Sequence, residues 1–155
     1  MPALVCDTSS LIKLAKADAL DSLGMLFAPV YLPDAVVAEC KSDRIKAAIS
    51  LPFFTPYQVQ NTLAIGLGAG ERGAISAAVE LGIVHILTDD DAATSKAARH
   101  GLVPIRVFDV LLLAKAAGHI QSVKATLDRM RDLGEGIDPG VYAETLRRSG
   151  EGQPA

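Results

Sequence analysis

The chain alternates short, unbroken apolar runs with longer stretches in which apolar residues recur every three or four positions. Four runs have the continuous hydrophobicity of strands buried on both faces: 3–6, 30–32, 84–87 and 104–107. A fifth run, 53–59, contains Pro56, which restricts it to an edge strand. This alternation predicts a three-layer α/β/α fold around a mainly parallel central sheet of about four to five strands.

Helical patterns fill the intervals between these strands. Predicted helices cover 11–15, 20–27, 33–40, 44–49, 71–81, 92–100, 109–117 and 122–133, and a last one opens at Asp138-Pro139. Leu111, Leu112 and Leu113 make one of them apolar on almost every side, which is typical of a core helix or of a contact surface. We expect one domain over 1–148 and a disordered tail over 149–155.

Composition and charge narrow the class of protein. A chain of 155 residues with 50% hydrophobic residues can bury one core, and its two cysteines are too few for a disulfide scaffold. No run of 18 apolar residues could span a membrane, and the N-terminus lacks the features of a signal peptide, so we expect a cytoplasmic protein. The net charge of −3 means that nucleic acid could bind only at a local basic patch.

Acidic residues follow two of the predicted strands. Asp7 comes directly after 3–6, and the run Asp89–Asp91 comes directly after 84–87 with Thr88 between. Since the carboxyl ends of parallel strands meet at one edge of a sheet, these acids should lie close together. Glu39 and Glu71 stand out as acids in otherwise apolar helical segments, although a helix dipole alone could account for Glu71.

Carboxylates gathered in one place repel one another unless a cation neutralises them. Oxygen ligands favour Mg²⁺ or Mn²⁺, and the three histidines are too scattered for a zinc site. The predicted metal-binding and catalytic residues are Asp7, Glu39, Glu71, Asp89 and Asp90. The sequence leaves open which of the aspartates in the run Asp89–Asp91 binds the metal. No organic cofactor is predicted.

Four segments, in order, resemble the conserved motifs of the PIN-domain family: VCDTSSLIKL, VYLPDAVVAEC, GAGERGAISAAVELG and HILTDDD. The later segments VLLLAKAAGHIQSVKATLDRM and GIDPGVYAETL are similar to the C-terminal helices of a branch described as predicted nucleic-acid-binding proteins. The resemblance covers residues 3 to 148. The family's usual Thr-x-Asp pattern matches Asp90, whereas this branch often carries an acid at the position of Asp89.

The resemblance implies a metal-dependent ribonuclease that hydrolyses single-stranded RNA. Many similar proteins are VapC-type toxins of toxin–antitoxin modules, which are often homodimers and pair with a small antitoxin protein. Basic residues on helices near the acids are predicted to hold RNA phosphates, namely Lys13, Arg72, Lys96 and Arg99, with Lys16 as a further candidate.

Three alternatives compete with this interpretation. The segment from Gly68 to Gly73 matches the dinucleotide-binding pattern G-x-G-x-x-G, with Asp89 in place to hold a ribose, but the preceding LAIG is a poor strand. A receiver-like domain would need paired acids early in the chain, where only Asp7 is found. A PIN-like module that binds RNA without cutting it stays open.

Overall fold

A computed structural model describes residues 1–63 and 66–152, in which the chain forms five strands and nine helices. The strands are β1 (Leu4–Cys6), β2 (Val30–Pro33), β3 (Phe54–Tyr57), β4 (His85–Leu87) and β5 (Val103–Ile105). The helices are α1 (Thr8–Lys16), α2 (Asp21–Leu26), α3 (Asp34–Glu39), α4 (Asp43–Ala48), α5 (Ala69–Leu81), α6 (Asp91–Arg99), α7 (Val107–Ala116), α8 (Val123–Asp132) and α9 (Pro139–Ser149).

All five strands are parallel and lie in the order β3-β2-β1-β4-β5. This confirms the predicted three-layer α/β/α architecture. β3, the strand that contains Pro56, lies at an edge as predicted, where a missing backbone donor is tolerated. None of the described helices is long and apolar enough to cross a membrane.

The sheet separates two hydrophobic cores because successive side chains of a strand point to opposite faces. In β1, Leu4 and Cys6 join the core formed with α1, α2, α7 and α8, whereas Val5 joins the core formed with α5 and α6. All three side chains are completely buried. Continuous apolar runs are therefore what this central strand requires, and the buried Cys6 acts as a small hydrophobic residue.

The strand order reverses direction between β1 and β4, which pair in the register Cys6–Leu87. In open parallel sheets, ligands bind in the crevice beyond the carboxyl ends of the strands at such a switch point. The first residues after these two strands are Asp7 and Thr88. The topology thus places the acids of the first and fourth strands on the two sides of one crevice.

Several boundaries differ from the predicted ones. β5 ends at Ile105 and α7 begins at Val107, so the predicted strand 104–107 was too long. The prediction of a disordered tail from Ser149 is wrong for its first residues: Ser149 ends α9, and Glu151 accepts hydrogen bonds from Lys115, Ser122 and the amides of Val123 and Lys124. Residues 153–155 of that tail lie outside the described residues.

Candidate active site

Asp7 lies at the centre of the crevice, where it caps the N-terminus of α1. Its Oδ1 atom accepts the backbone N–H of Ser10 at 3.0 Å, and the residue is only 1% exposed. Burial raises the pKa of the carboxyl group, and the negative charge of Glu71 adds to the rise. The hydrogen bond from the Ser10 amide and the nearby hydroxyls of Ser10 and Thr88 oppose it. The site therefore holds a carboxylate whose charge is poorly compensated.

Three neighbouring polar atoms in this helix start are buried without a hydrogen-bond partner. They are Asp7 Oδ2, Thr8 Oγ1 and Ser10 Oγ, and across the described residues only two other side-chain atoms share this condition. A buried polar group without a partner typically destabilises a protein by about 1–3 kcal/mol. Such a concentration is typical of a site that acquires its partners from a ligand.

Glu39 approaches this helix start from α3, across Gly70. A Cβ atom built on Gly70 would lie 2.7 Å from Thr8 Oγ1 and 2.8 Å from Glu39 Oε1, so any larger residue would displace these two side chains. Glu39 is the last residue of α3, where the helix dipole disfavours an acid. Helix stability therefore does not explain Glu39, which is exposed to solvent, and its role at the crevice stays a prediction.

Glu71 lies in the first turn of α5, at the same edge of the sheet. Its carboxylate is folded back towards the N-cap of that helix, with Oε2 2.5 Å from the position of a Cβ built on Gly68. The side chain is nevertheless near enough to Asp7 for its charge to raise the pKa of that group. The structure thus brings Asp7, Glu39 and Glu71 to one edge of the sheet from three separate elements.

Asp89 has a different environment, because both of its carboxylate oxygens already have partners. Lys13 Nζ donates to Oδ2 at 3.0 Å, the Val107 amide donates to Oδ1 at 2.8 Å, and Arg106 Nε lies 3.6 Å from Oδ1. Arg106 also donates to the backbone carbonyl of Asp89 and to Asp91. Asp89 therefore holds two basic side chains at the edge of the sheet.

Asp90 caps α6, where its Oδ2 atom accepts the Ala93 amide at 2.7 Å. The residue is exposed, and its cap leaves the other carboxylate oxygen available. Asp91 is more exposed still, with 95% of its side-chain surface accessible, and pairs with Arg106. Asp90 and Asp91 thus each keep one carboxylate oxygen without a protein partner, whereas Asp89 keeps none.

The predicted RNA-binding residues fall into two groups. Lys13 lies on α1 beside Asp89, and Arg72 lies in the first turn of α5, so both are near the acids. Lys96 and Arg99 lie in the last turn of α6, and Arg99 is about 12 Å along the helix from its N-terminus. Lys16, the further candidate, pairs with Glu135. All these RNA-binding assignments stay predictions.

Arg106 was missed by the sequence interpretation, although it faces Asp89 directly. The reason is the strand boundary: the predicted strand 104–107 placed Arg106 inside the sheet, whereas β5 ends at Ile105. A search for charged residues of either sign beyond the buried strands would have selected Arg106 had the strand been ended two residues earlier, at Ile105.

A divalent metal ion was predicted at this edge, and the residues present are compatible with one. Asp7 Oδ2 is a buried carboxylate oxygen without a partner, and Glu39 and Glu71 supply the oxygen ligands that Mg²⁺ and Mn²⁺ prefer. Within residues 1–63 and 66–152, no group of three or more acid, histidine or cysteine side chains is close enough together to hold a metal ion as the side chains stand. Asp7, Glu39, Glu71 and Asp90 are the residues that would hold such an ion.

The glycine-rich segment does not form a dinucleotide-binding turn. That turn requires a strand directly before the first glycine, but β3 ends at Tyr57 and the described residues between it and Gly68 form no strand. Part of LAIG, residues 64 and 65, lies outside the described residues. The glycines serve packing, since Gly70 makes room for Glu39 and a Cβ on Gly73 would lie 3.1 Å from that of Ala35.

Comparisons with known proteins agree with this fold. A family described as "DUF3368: PIN domain" matches residues 3–151. A PilT N-terminus domain protein from the hyperthermophilic archaeon Sulfolobus solfataricus P2 has a similar structure, with a TM-score of 0.56, 17% sequence identity, and coverage of 77% of this chain and 95% of that one. No curated protein matches the chain. The chain belongs to the PIN-domain family, whose members are generally nucleases that use divalent metals.

Proposed function

We propose that this chain is a Mg²⁺- or Mn²⁺-dependent endoribonuclease that hydrolyses phosphodiester bonds of single-stranded RNA. The observation that carries the proposal is the group of three buried polar atoms without partners on Asp7, Thr8 and Ser10. They lie at the switch point of a parallel sheet, beside the acids Glu39 and Glu71. Membership of the PIN-domain family supports the same class of reaction.

The chemistry that the ion supplies is the activation of water and the neutralisation of charge on the phosphate. The protein's own groups bind and orient the substrate. The N-termini of α1 and α5 add positive potential at the same edge, which favours a phosphate there. Asp89 keeps Lys13 and Arg106 beside the acids, where they can contact the RNA backbone.

The test is cleavage of a fluorescently labelled, unstructured RNA in the presence of Mn²⁺. We expect the parent protein to cleave, EDTA to abolish cleavage, and Asp7→Asn to reduce the rate at least a hundredfold. The control Asp43→Asn changes an exposed aspartate in the first turn of α4, outside the crevice, and should cleave like the parent. Binding of the RNA without cleavage in either metal would instead identify a non-catalytic RNA-binding module.

Two further expectations stay predictions: a homodimer, and a small antitoxin protein whose binding would make this chain the toxin of a type II module. Light scattering tests the first. Co-purification with the product of the neighbouring gene, followed by measurement of the RNA cleavage of the complex, tests the second.

A further inference from the structure

A cavity of about 190 Å³ opens next to the acid cluster, on the far side of Asp89. We call it the α7–α9 cavity, because its apolar walls come from these helices and the loop before α9: Phe108, Leu127, Met130, Ile137 and Val141. Lys13, Asp89 and Arg106 stand at its charged side. The cavity therefore combines an apolar interior with a few polar groups, as small-molecule sites do.

The pairing of β1 with β4 places the α7–α9 cavity next to Asp7. Asp89 lies two residues beyond Leu87, and Leu87 pairs with Cys6, the residue before Asp7. Neighbouring strands lie about 4.8 Å apart, so the wall of the cavity begins on the strand next to the one that carries Asp7. A polymer such as RNA, bound with one phosphate at Asp7, would reach this cavity with its neighbouring nucleotide.

The polar groups at the cavity suit a neutral ring better than a free anion. The acids there already have partners: Asp89 pairs with Lys13 and Arg106, Glu135 pairs with Lys16, and Asp138 caps α9. The charges of Lys13 and Arg106 are thus compensated by Asp89, and most of the remaining lining is apolar. A nucleobase matches this pattern, because it has an apolar face and alternating donors and acceptors on its edge.

We propose that the α7–α9 cavity binds one unpaired base of the RNA, next to the phosphate held at Asp7. This deepens the proposed function and rests on it for the position of that phosphate. The size agrees: sites for drug-sized molecules span about 300–1,000 Å³, so a volume of 190 Å³ accommodates a single ring system rather than two stacked nucleotides. Half-exposed Phe108 supplies an aromatic surface of the kind on which single-stranded bases stack.

The matched variants are Val141→Trp and Val79→Trp. Val141 lines the cavity and is 40% exposed, whereas Val79 is 44% exposed on α5 and lies away from the cavity. Both variants add the same ring to a partly exposed helical position, but only the first fills the cavity. Circular dichroism and thermal melts establish that each variant is folded.

The experiment is an abasic scan, read as fluorescence anisotropy in Ca²⁺, which takes the same oxygen ligands as Mg²⁺ and Mn²⁺ and keeps the Asp7 site loaded. The probes are a labelled RNA octamer and eight derivatives, each lacking one base but keeping every phosphate. For the parent and Val79→Trp, we expect removal of one particular base to weaken binding at least tenfold. For Val141→Trp, the intact octamer should bind at least tenfold more weakly, and the same base removal should have no further effect.

A parent protein that binds all eight abasic derivatives like the intact octamer overturns the proposal, as does an octamer that does not bind at all. If Val141→Trp fails to fold, the methyl resonance of Met130 in the parent replaces it: adenosine 5′-monophosphate should shift the resonance and ribose 5-phosphate should not. Equal responses to the two compounds, whether both shift the resonance or neither does, reject a base site.

The same octamer, incubated with Mn²⁺, separates this inference from the proposed function. If the octamer is cleaved but no base removal weakens its binding, the base site is rejected and the nuclease is supported. An abasic effect without cleavage keeps the base site and removes the nuclease.

Discussion

Replacing Asp7 by asparagine should make the metal-free protein more stable, although it removes a side chain from the centre of the site. Asparagine caps a helix about as well as aspartate, so the hydrogen bond from the Ser10 amide is kept. What disappears is a negative charge that is 1% exposed and whose Oδ2 atom has no partner. The new amide group can donate to the neighbouring hydroxyls of Ser10 or Thr88.

The size of the effect follows from the burial of that oxygen atom. A buried polar group without a partner destabilises the folded state by about 1–3 kcal/mol, and a charged one by more. We therefore expect Asp7→Asn to raise the free energy of unfolding by about 1–3 kcal/mol in EDTA. For a chain of this size, each kcal/mol raises Tm by roughly 2–4 °C.

The gain in stability of Asp7→Asn over the parent should increase as the pH rises. Burial raises the pKa of Asp7 in the folded state above its value in the unfolded chain, so the folded protein loses stability as pH rises between these two values. The unfolded value is about 3.9. The variant should thus equal the parent below about pH 4 and exceed it increasingly above that, until Asp7 is fully ionised.

Urea unfolding curves in EDTA, recorded from pH 4 to pH 8, measure this difference. The control is Asp138→Asn, which changes an exposed aspartate that also caps a helix and accepts the Val141 amide at 3.0 Å. Its stability should stay close to that of the parent at every pH. An Asp7→Asn variant that is less stable than the parent at pH 7, or a difference that does not change with pH, would refute the reasoning.

Three other substitutions test separate parts of the structure. Gly70→Ala should leave the free energy of unfolding nearly unchanged, because a helix-propensity gain of up to about 1 kcal/mol offsets the crowding. It should weaken Mn²⁺ binding at least tenfold in calorimetry, because the new Cβ displaces Thr8 and Glu39. The control Gly136→Ala, which has open space around its new Cβ, should bind Mn²⁺ like the parent. Asp89→Asn should lower the free energy of unfolding by about 1–3 kcal/mol while Mn²⁺ affinity is kept, because Asp89 holds Lys13 and Arg106. Hydrogen bonds outweigh burial at Glu151 and lower its pKa to about 2. Glu151→Gln should therefore lower the free energy of unfolding by on the order of 3 kcal/mol near neutral pH, as measured with denaturant. This loss should shrink as the pH falls from 4.5 to 2.

The parts of the fold that could be predicted are those fixed by local pattern. The unbroken apolar runs at β1, β2 and β4 require burial on both faces, and this alone implies a covered parallel sheet. Asp7 was predictable because it follows such a run directly. The pairing of β1 with β4 then brings the aspartates of both strand ends to one crevice.

Contacts between distant segments could not be predicted in this way. No local feature of the sequence indicated that Asp89 pairs with Lys13, 76 residues away in the chain, and with Arg106. Glu151 was assigned to a disordered tail because its polar surroundings gave no signal. It is ordered because it satisfies the backbone donors at the start of α8, a segment nearly 30 residues earlier.

The most direct test of the central claim is the location of Mn²⁺ in a crystal of the protein, determined from its anomalous scattering. We predict a peak within about 2–2.5 Å of Asp7 Oδ2, the buried carboxylate oxygen without a partner, and the loss of that peak in Asp7→Asn crystals under the same conditions. Mn²⁺ bound only between Asp89 and Asp91, or a peak that persists unchanged in the variant, would contradict a metal-dependent site built on Asp7.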